Sequence, residues 1–148
     1  MMREKRRPRS FDEMITELEE SIRADEKEFY GEKLVEEALD PRNVGVLAQP
    51  DGAARVTGQD GESMQIHVQV EEGTIRDCKF TTDARGPTIA FASVLTELVK
   101  GKTVEEALKI EPDDVESALG GLPEGEEHTP ELAVTTLRAA LEDYKKRH

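Results

Sequence analysis

The chain has 148 residues, with 20 Lys and Arg against 33 Asp and Glu, a formal net charge of −13, 36% hydrophobic residues and a single cysteine. That length fits one domain with a real core, and the acidic balance excludes a nucleic-acid binder, which needs a basic footprint. One cysteine forms no internal disulfide, and no apolar run is long enough for a membrane span. With no apolar stretch near the start to act as a secretion signal, these features point to a cytoplasmic chain.

Charge is uneven. Residues 1–9 (MMREKRRPR) carry five basic side chains against Glu4, a local net of +4, and their composition predicts a disordered basic arm. Ser10-Phe-Asp-Glu13 matches a capping box. Met14, Leu18 and Ile22 then recur on one stripe, so a helix is expected over about 11–24 within a helical extension, 10–29. A second helical pattern runs through Phe29, Tyr30, Leu34, Val35, Ala38 and Leu39 and stops at Asp40-Pro41.

The period then changes. Ala53–Thr57 reads as a strand, and Met64, Ile66, Val68 and Val70 alternate with Gln65, His67 and Gln69 as a half-buried one. Glu71-Glu72-Gly73 turns the chain, and Ile75, Cys78 and Phe80 mark the returning strand. His67 and His148 are expected to be exposed polar groups, and Cys78 a buried small hydrophobe on the face of Phe80.

From residue 86 the pattern is helical again. One helix ends at Gly101, a short one starts at Thr103, a third opens at Pro112 and closes at Gly120-Gly121, and the last opens at Thr129-Pro130 and ends in Lys145, Lys146 and Arg147. This order predicts an α+β fold: a three-stranded antiparallel sheet with helices packed on one face, and helices at both ends of the chain.

Several segments carry a resemblance. YGEKLVEEALDPRNVG at 30–45, GKTVEEALK at 101–109, LGGLPEGEEHTPELA at 119–133 and the following LRAALEDY together resemble the NifU/IscU family of iron–sulfur cluster assembly scaffolds, with residues 30–148 as the domain. The resemblance implies a [2Fe–2S] cluster assembled on three cysteine thiolates, helped by an aspartate, at the tips of three loops. At the matching positions stand Asp60, Arg85 and Thr129, with Glu62 in place of the aspartate and His128 before Thr129. Clusters need soft thiolates. Asp60 and Glu62 supply hard oxygens, Thr129 a neutral hydroxyl, and Arg85 no donor. An Arg85 cation 4 Å from a metal charge would be repelled by about 4 kcal/mol at an effective dielectric near 20, so an ion pair of Arg85 with Asp60 or Glu62 is expected instead.

No nucleophile–base pair, GxSxG, Walker, dinucleotide-binding or HExxH pattern occurs, so the chain is not read as an enzyme and no cofactor is expected. The reading is a scaffold-like protein without its cluster ligands, acting through a protein partner of iron–sulfur biogenesis, either a cysteine desulfurase or a cysteine-bearing scaffold. One alternative is a divergent Zn or Fe site built from Asp60, Glu62 and His128. The other is a binding module recruited outside cluster biogenesis.

Overall fold

The computed structural model describes residues 32–84, 86–121 and 129–148, with Thr129 placed by its backbone alone. The basic arm and the helix expected over 11–24 lie outside these residues. The elements in chain order are α1 (Glu32–Leu39), β1 (Gly52–Thr57), β2 (Ser63–Glu71), β3 (Thr74–Thr82), α2 (Pro87–Val99), α3 (Val104–Leu108), α4 (Pro112–Ala118) and α5 (Thr129–Arg147). No helix among the described residues is long and apolar enough to cross a membrane.

The strands form an antiparallel meander in the order β1-β2-β3. Met64, Ile66 and Val68 of β2 and Ile75, Cys78 and Phe80 of β3 are buried against α2 and α5. Strict alternation cannot bury both Ile75 and Cys78, which are three apart. A bulge resolves this: Val70 pairs with Ile75 but Gln69 with Asp77, so Arg76 is the extra residue and the parity of β3 flips there.

α2 is the central helix, buried on nearly every side because the sheet, α1, α4 and α5 pack around it. Pro87 opens it at the first turn, where a missing N–H costs nothing. α3 starts at Thr103 as expected, and the structure adds a full capping box: the Thr103 side chain accepts from the Glu106 N–H (3.1 Å) while Glu106 accepts from the Thr103 N–H (2.9 Å).

α5 packs along β1. Their closest approach requires a glycine, since a Cβ on Gly52 would lie 2.5 Å from the Ala140 carbonyl and 2.8 Å from the Tyr144 Cβ. Next to it, Asp143 Oδ2 accepts from the Ala53 N–H at 3.0 Å.

The opposite face of the sheet is crossed by a strap, residues 42–51. At the β3 edge the Gly45 N–H donates to the Phe80 carbonyl (2.8 Å) and the Phe80 N–H to the Asn43 carbonyl (2.9 Å), a parallel bridge centred on Val44. Over the middle strand the Leu47 N–H donates to His67 Nδ1 (3.0 Å). At the β1 edge the Asp51 N–H donates to the Val68 carbonyl (2.9 Å) and its carboxylate accepts from the Val70 N–H (2.8 Å). The strap corrects one expectation: His67 is buried. Its Nδ1 accepts a backbone N–H, and its Nε2 lies 3.1 Å from the Gln65 side-chain amide nitrogen.

Candidate functional site

Three chain segments meet at one end of the sheet. The first is the β1–β2 loop, closed by the Gly58 N–H donating to the Glu62 carbonyl (2.7 Å) and the Gly61 N–H to the Gly58 carbonyl (3.0 Å). Gly61 turns it at φ +85°, a conformation other residues rarely adopt. Asp60 is exposed at the tip and Glu62 is half-buried behind it.

The second segment leads from β3 into α2. Asp83 Oδ1 accepts from the Ser63 N–H (2.8 Å), and the Thr82 hydroxyl donates to the Ser63 carbonyl (2.6 Å) while accepting from the Ala84 N–H (3.1 Å). The Thr88 hydroxyl, in the first turn of α2, reaches Glu62 Oε1 at 3.5 Å. The third segment is the start of α5, where the Leu132 Cδ1 would lie 3.5 Å from a Cβ on Gly58. The segments bearing positions 60 and 62, leading through position 85, and beginning at 129 are thus neighbours.

Of the residues singled out in the sequence, the structure places Asp60 and Glu62 on the first loop and the Thr129 backbone at the start of α5. Arg85 and His128 lie outside the described residues, and with them the expected ion pair and the third member of the Asp60, Glu62 and His128 set. Among the described residues no three His, Cys, Asp or Glu side chains gather as a metal site.

Cys78 is elsewhere. It pairs across the sheet with Val68, six residues along the strand from Glu62, which at about 3.3 Å per residue is about 20 Å from the loop. It is fully buried in the core. Burial pushes its thiol up to about 12, with the neighbouring Asp77 carboxylate adding to the rise. A neutral thiol inside the core is no metal ligand at physiological pH.

The polar cluster that sequence reasoning missed lies where the strap leaves α1. The Arg42 N–H donates to Ser93 Oγ (2.7 Å), whose hydroxyl donates to Glu37 Oε2 (2.5 Å), and that carboxylate also accepts from Arg42 Nε (2.9 Å). Asn43 adopts φ +66°. Its amide nitrogen donates to Thr96 Oγ1 and Glu97 Oε1 (3.1 Å each), and its amide oxygen accepts from Lys100 Nζ (2.5 Å). The Asn43 hydrogen bond, with Lys100 nearby, holds the Glu97 carboxyl below its ordinary range. Beside it, the hydrogen bond to Glu37 raises the Arg42 guanidinium. The signal was an Asn two residues past the proline that follows a helix, since Asn tolerates the left-handed region better than most side chains.

Residues 29–148 match the family described as the NifU-like N-terminal domain. The chain is 42% identical over 120 residues to the iron–sulfur cluster assembly scaffold protein IscU 1 of Archaeoglobus fulgidus, covering 80% of this chain and 78% of that protein. It is 39% identical over 118 residues to the IscU scaffold of Aquifex aeolicus, covering 78% and 75%. A NifU-like N-terminal protein from Brucella abortus shares the fold, with a TM-score of 0.66 over 82% of this chain and 98% of that one at 20% identity.

Proposed function

The chain belongs to the NifU-like N-terminal domain family, and on that premise we propose that it serves iron–sulfur cluster assembly by docking a protein partner and does not itself hold a thiolate-ligated cluster. The observation that carries this reading is the single cysteine, buried on β3 far from the loops. A [2Fe–2S] cargo held on three thiolates cannot form on one chain that has only Cys78. The matching positions, Asp60, Arg85 and Thr129, bring a carboxylate, a cation and a hydroxyl, a set of wrong hardness and charge for that cargo.

What the chain keeps is the shape around those positions. Asp83, Thr82 and Thr88 tie the first two segments together, and Leu132 at the start of α5 lies beside Gly58. A partner that recognises a scaffold by its surface would meet a similar backbone here without meeting a cluster. The partner class this supports is a cysteine desulfurase or a cysteine-bearing scaffold, with catalysis belonging to the partner. In this reading the sequence divides into an extension, 10–29, and the domain, 30–148.

A second reading has one observation in its favour: Asp60 and Glu62 lie at the same end as the start of α5, immediately after His128. Two carboxylates and an imidazole suit zinc or ferrous iron.

Anaerobic purification with metal analysis, followed by iron–sulfide reconstitution and visible spectroscopy, separates the readings. The docking reading expects no stoichiometric metal and no charge-transfer absorption, together with co-purification of a desulfurase or cysteine-bearing scaffold. A stable cluster spectrum overturns it. Near-stoichiometric zinc or iron that is lost in Asp60→Ala and His128→Ala establishes the second reading in its place.

A further inference from the structure

The strap carries apolar surface that the described residues leave uncovered. Val44 is 55% exposed and Val46 60%, two of the three large apolar side chains exposed among the described residues. Ala48 is exposed as well, while Gly45 and Leu47 between them are half-buried. The strap therefore turns alternate residues to solvent over 44–48, and none of the three is polar or charged. Exposed edge segments ordinarily carry charges or proline that keep other chains away. This one has neither on its outward row.

The backbone is open at the same place. In the parallel bridge to β3, it is the Asn43 carbonyl and the Gly45 N–H that pair with Phe80. The N–H and carbonyl of Val44 consequently point away from β3, and neither bonds to another described residue. Other edges of the sheet are occupied. β1 lies along α5, and the outer edge of β3 is met at Ile75 by Gly101 and Lys102. Val44 is thus a position where the sheet can take on a further strand.

Charge selects the occupant. Arg55 and Lys79 stand on the face that the strap crosses, cross-strand from Gln65 and His67. The Lys79 stem lies against the strap, its Cδ 3.6 Å from where a Cβ of Gly45 would be. Among the described residues Arg42, Arg76, Lys100, Arg138 and Arg147 each have a carboxylate partner. Arg55 and Lys79 have none there, in a chain whose net charge is −13. A second copy pairing edge to edge about a two-fold axis would set these cations near their own images, where like charges repel. A strand bearing carboxylates would meet them favourably.

We propose that the stretch 44–48 of the strap is a docking edge for an extended acidic segment of a partner protein. The segment's backbone pairs with Val44, its alternate apolar side chains cover Val44 and Val46, and its carboxylates meet Lys79 and Arg55. This surface is separate from the loop end at Asp60 and Glu62, and the proposal does not rest on the cluster-assembly reading.

The test uses the full-length chain with isotope-enriched amides and two synthetic peptides, an alternating valine–glutamate heptamer and its valine–lysine counterpart. The acidic peptide is expected to shift the Val44, Val46 and Lys79 amides and to slow hydrogen exchange at the Val44 N–H. It should bind about tenfold more tightly than the basic peptide. Val44→Asp should abolish the shifts with the remaining spectrum unchanged, and Arg55→Glu combined with Lys79→Glu should reverse the preference between the peptides. Equal binding of the two peptides, shifts confined to another surface, or no shift at any peptide concentration overturns the proposal. So do strap shifts that grow with chain concentration in the absence of peptide, which would make a second copy the occupant. Metal content and iron–sulfide reconstitution are read separately, so failure here leaves the cluster-assembly reading where it stood.

Discussion

The strap junction and the loop end are two polar regions at the edges of one core, and they differ in what their side chains are for. At the junction, Asn43 spends its amide on Thr96, Glu97 and Lys100, and Ser93 is fully buried between Arg42 and Glu37. These bonds fix the strap to α1 and α2. At the loop end, Thr82, Asp83 and Ser63 tie backbone to backbone, while Asp60 is exposed at the tip. The residues that carry the family likeness, DPRNVG, belong to the first region and maintain the fold. The positions that would carry cluster chemistry belong to the second, and none of the junction bonds involves them. Fold and cargo chemistry are thus separable, and this chain has the first without the ligands of the second.

The largest expected effect tests that separation directly. Asp60→Cys, Arg85→Cys and Thr129→Cys combined should give the chain a visible charge-transfer spectrum after anaerobic iron–sulfide reconstitution, where the parent chain gives none. Failure of the triple variant to bind, while it keeps its fold by circular dichroism, would show that the loop backbone has also lost the scaffold geometry.

At the junction, Asn43→Ala removes three side-chain hydrogen bonds and places a Cβ in the left-handed region without the Asn compensation. Urea unfolding should show a loss of about 2–3 kcal/mol. Asn43→Gly keeps the backbone freedom and should recover about 1 kcal/mol of that loss. Equal losses in the two variants would mean that the conformation at Asn43 contributes nothing beyond its bonds.

Cys78 supplies an alkaline test. The unfolded thiol ionises near pH 8.5, whereas burial pushes the folded one up to about 12. The unfolded state therefore loses its proton first. Stability from this group is complete below about pH 8.5 and falls as pH rises from there towards 12. Denaturation curves of Cys78→Ala should lack that part of the alkaline decline. The native chain should also resist thiol alkylation at pH 8 until unfolded, and rapid modification of the folded chain would contradict the buried placement.

The smallest effect is acidic. Glu97 is held below its ordinary value, first by the Asn43 hydrogen bond. Its stabilising share is present above the unfolded carboxyl value of about 4.3 and is lost as pH falls below it. In Asn43→Ala the dependence of stability on pH between about 5 and 2 should be shallower. An unchanged slope would assign the acid sensitivity to other carboxylates, such as Asp143, which is held low by the Ala53 N–H.

Local signals were enough for most of the elements. Thr103 as the cap of α3, Pro112 at the first turn of α4 and the basic last turn of α5 all lie where the side chains call for them. The alternation of Met64, Ile66 and Val68 describes β2 correctly. It fails as a rule for β3 because the bulge at Arg76 depends on the partner strand, which local periodicity does not contain. His67 was misjudged for a similar reason. Its face is covered by Leu47, twenty residues earlier, and nothing in the local pattern of β2 announces a strap. For the candidate site, one cysteine and the residues at 60, 85 and 129 were legible as chemistry, while the tie between Glu62 and Thr88 was not.

By itself, then, the sequence determined the order of helices and strands, the apolar face of the central strand, and the absence of three thiolates, because each depends on residue type and short-range spacing. The tertiary structure alone decided that the strap covers His67, that Asn43 fastens it to α2, that Arg76 shifts the register, and that the loop tips and the start of α5 share one end of the molecule. Each of these rests on contacts between residues far apart in the chain, where side-chain geometry and the exclusion of water set the outcome.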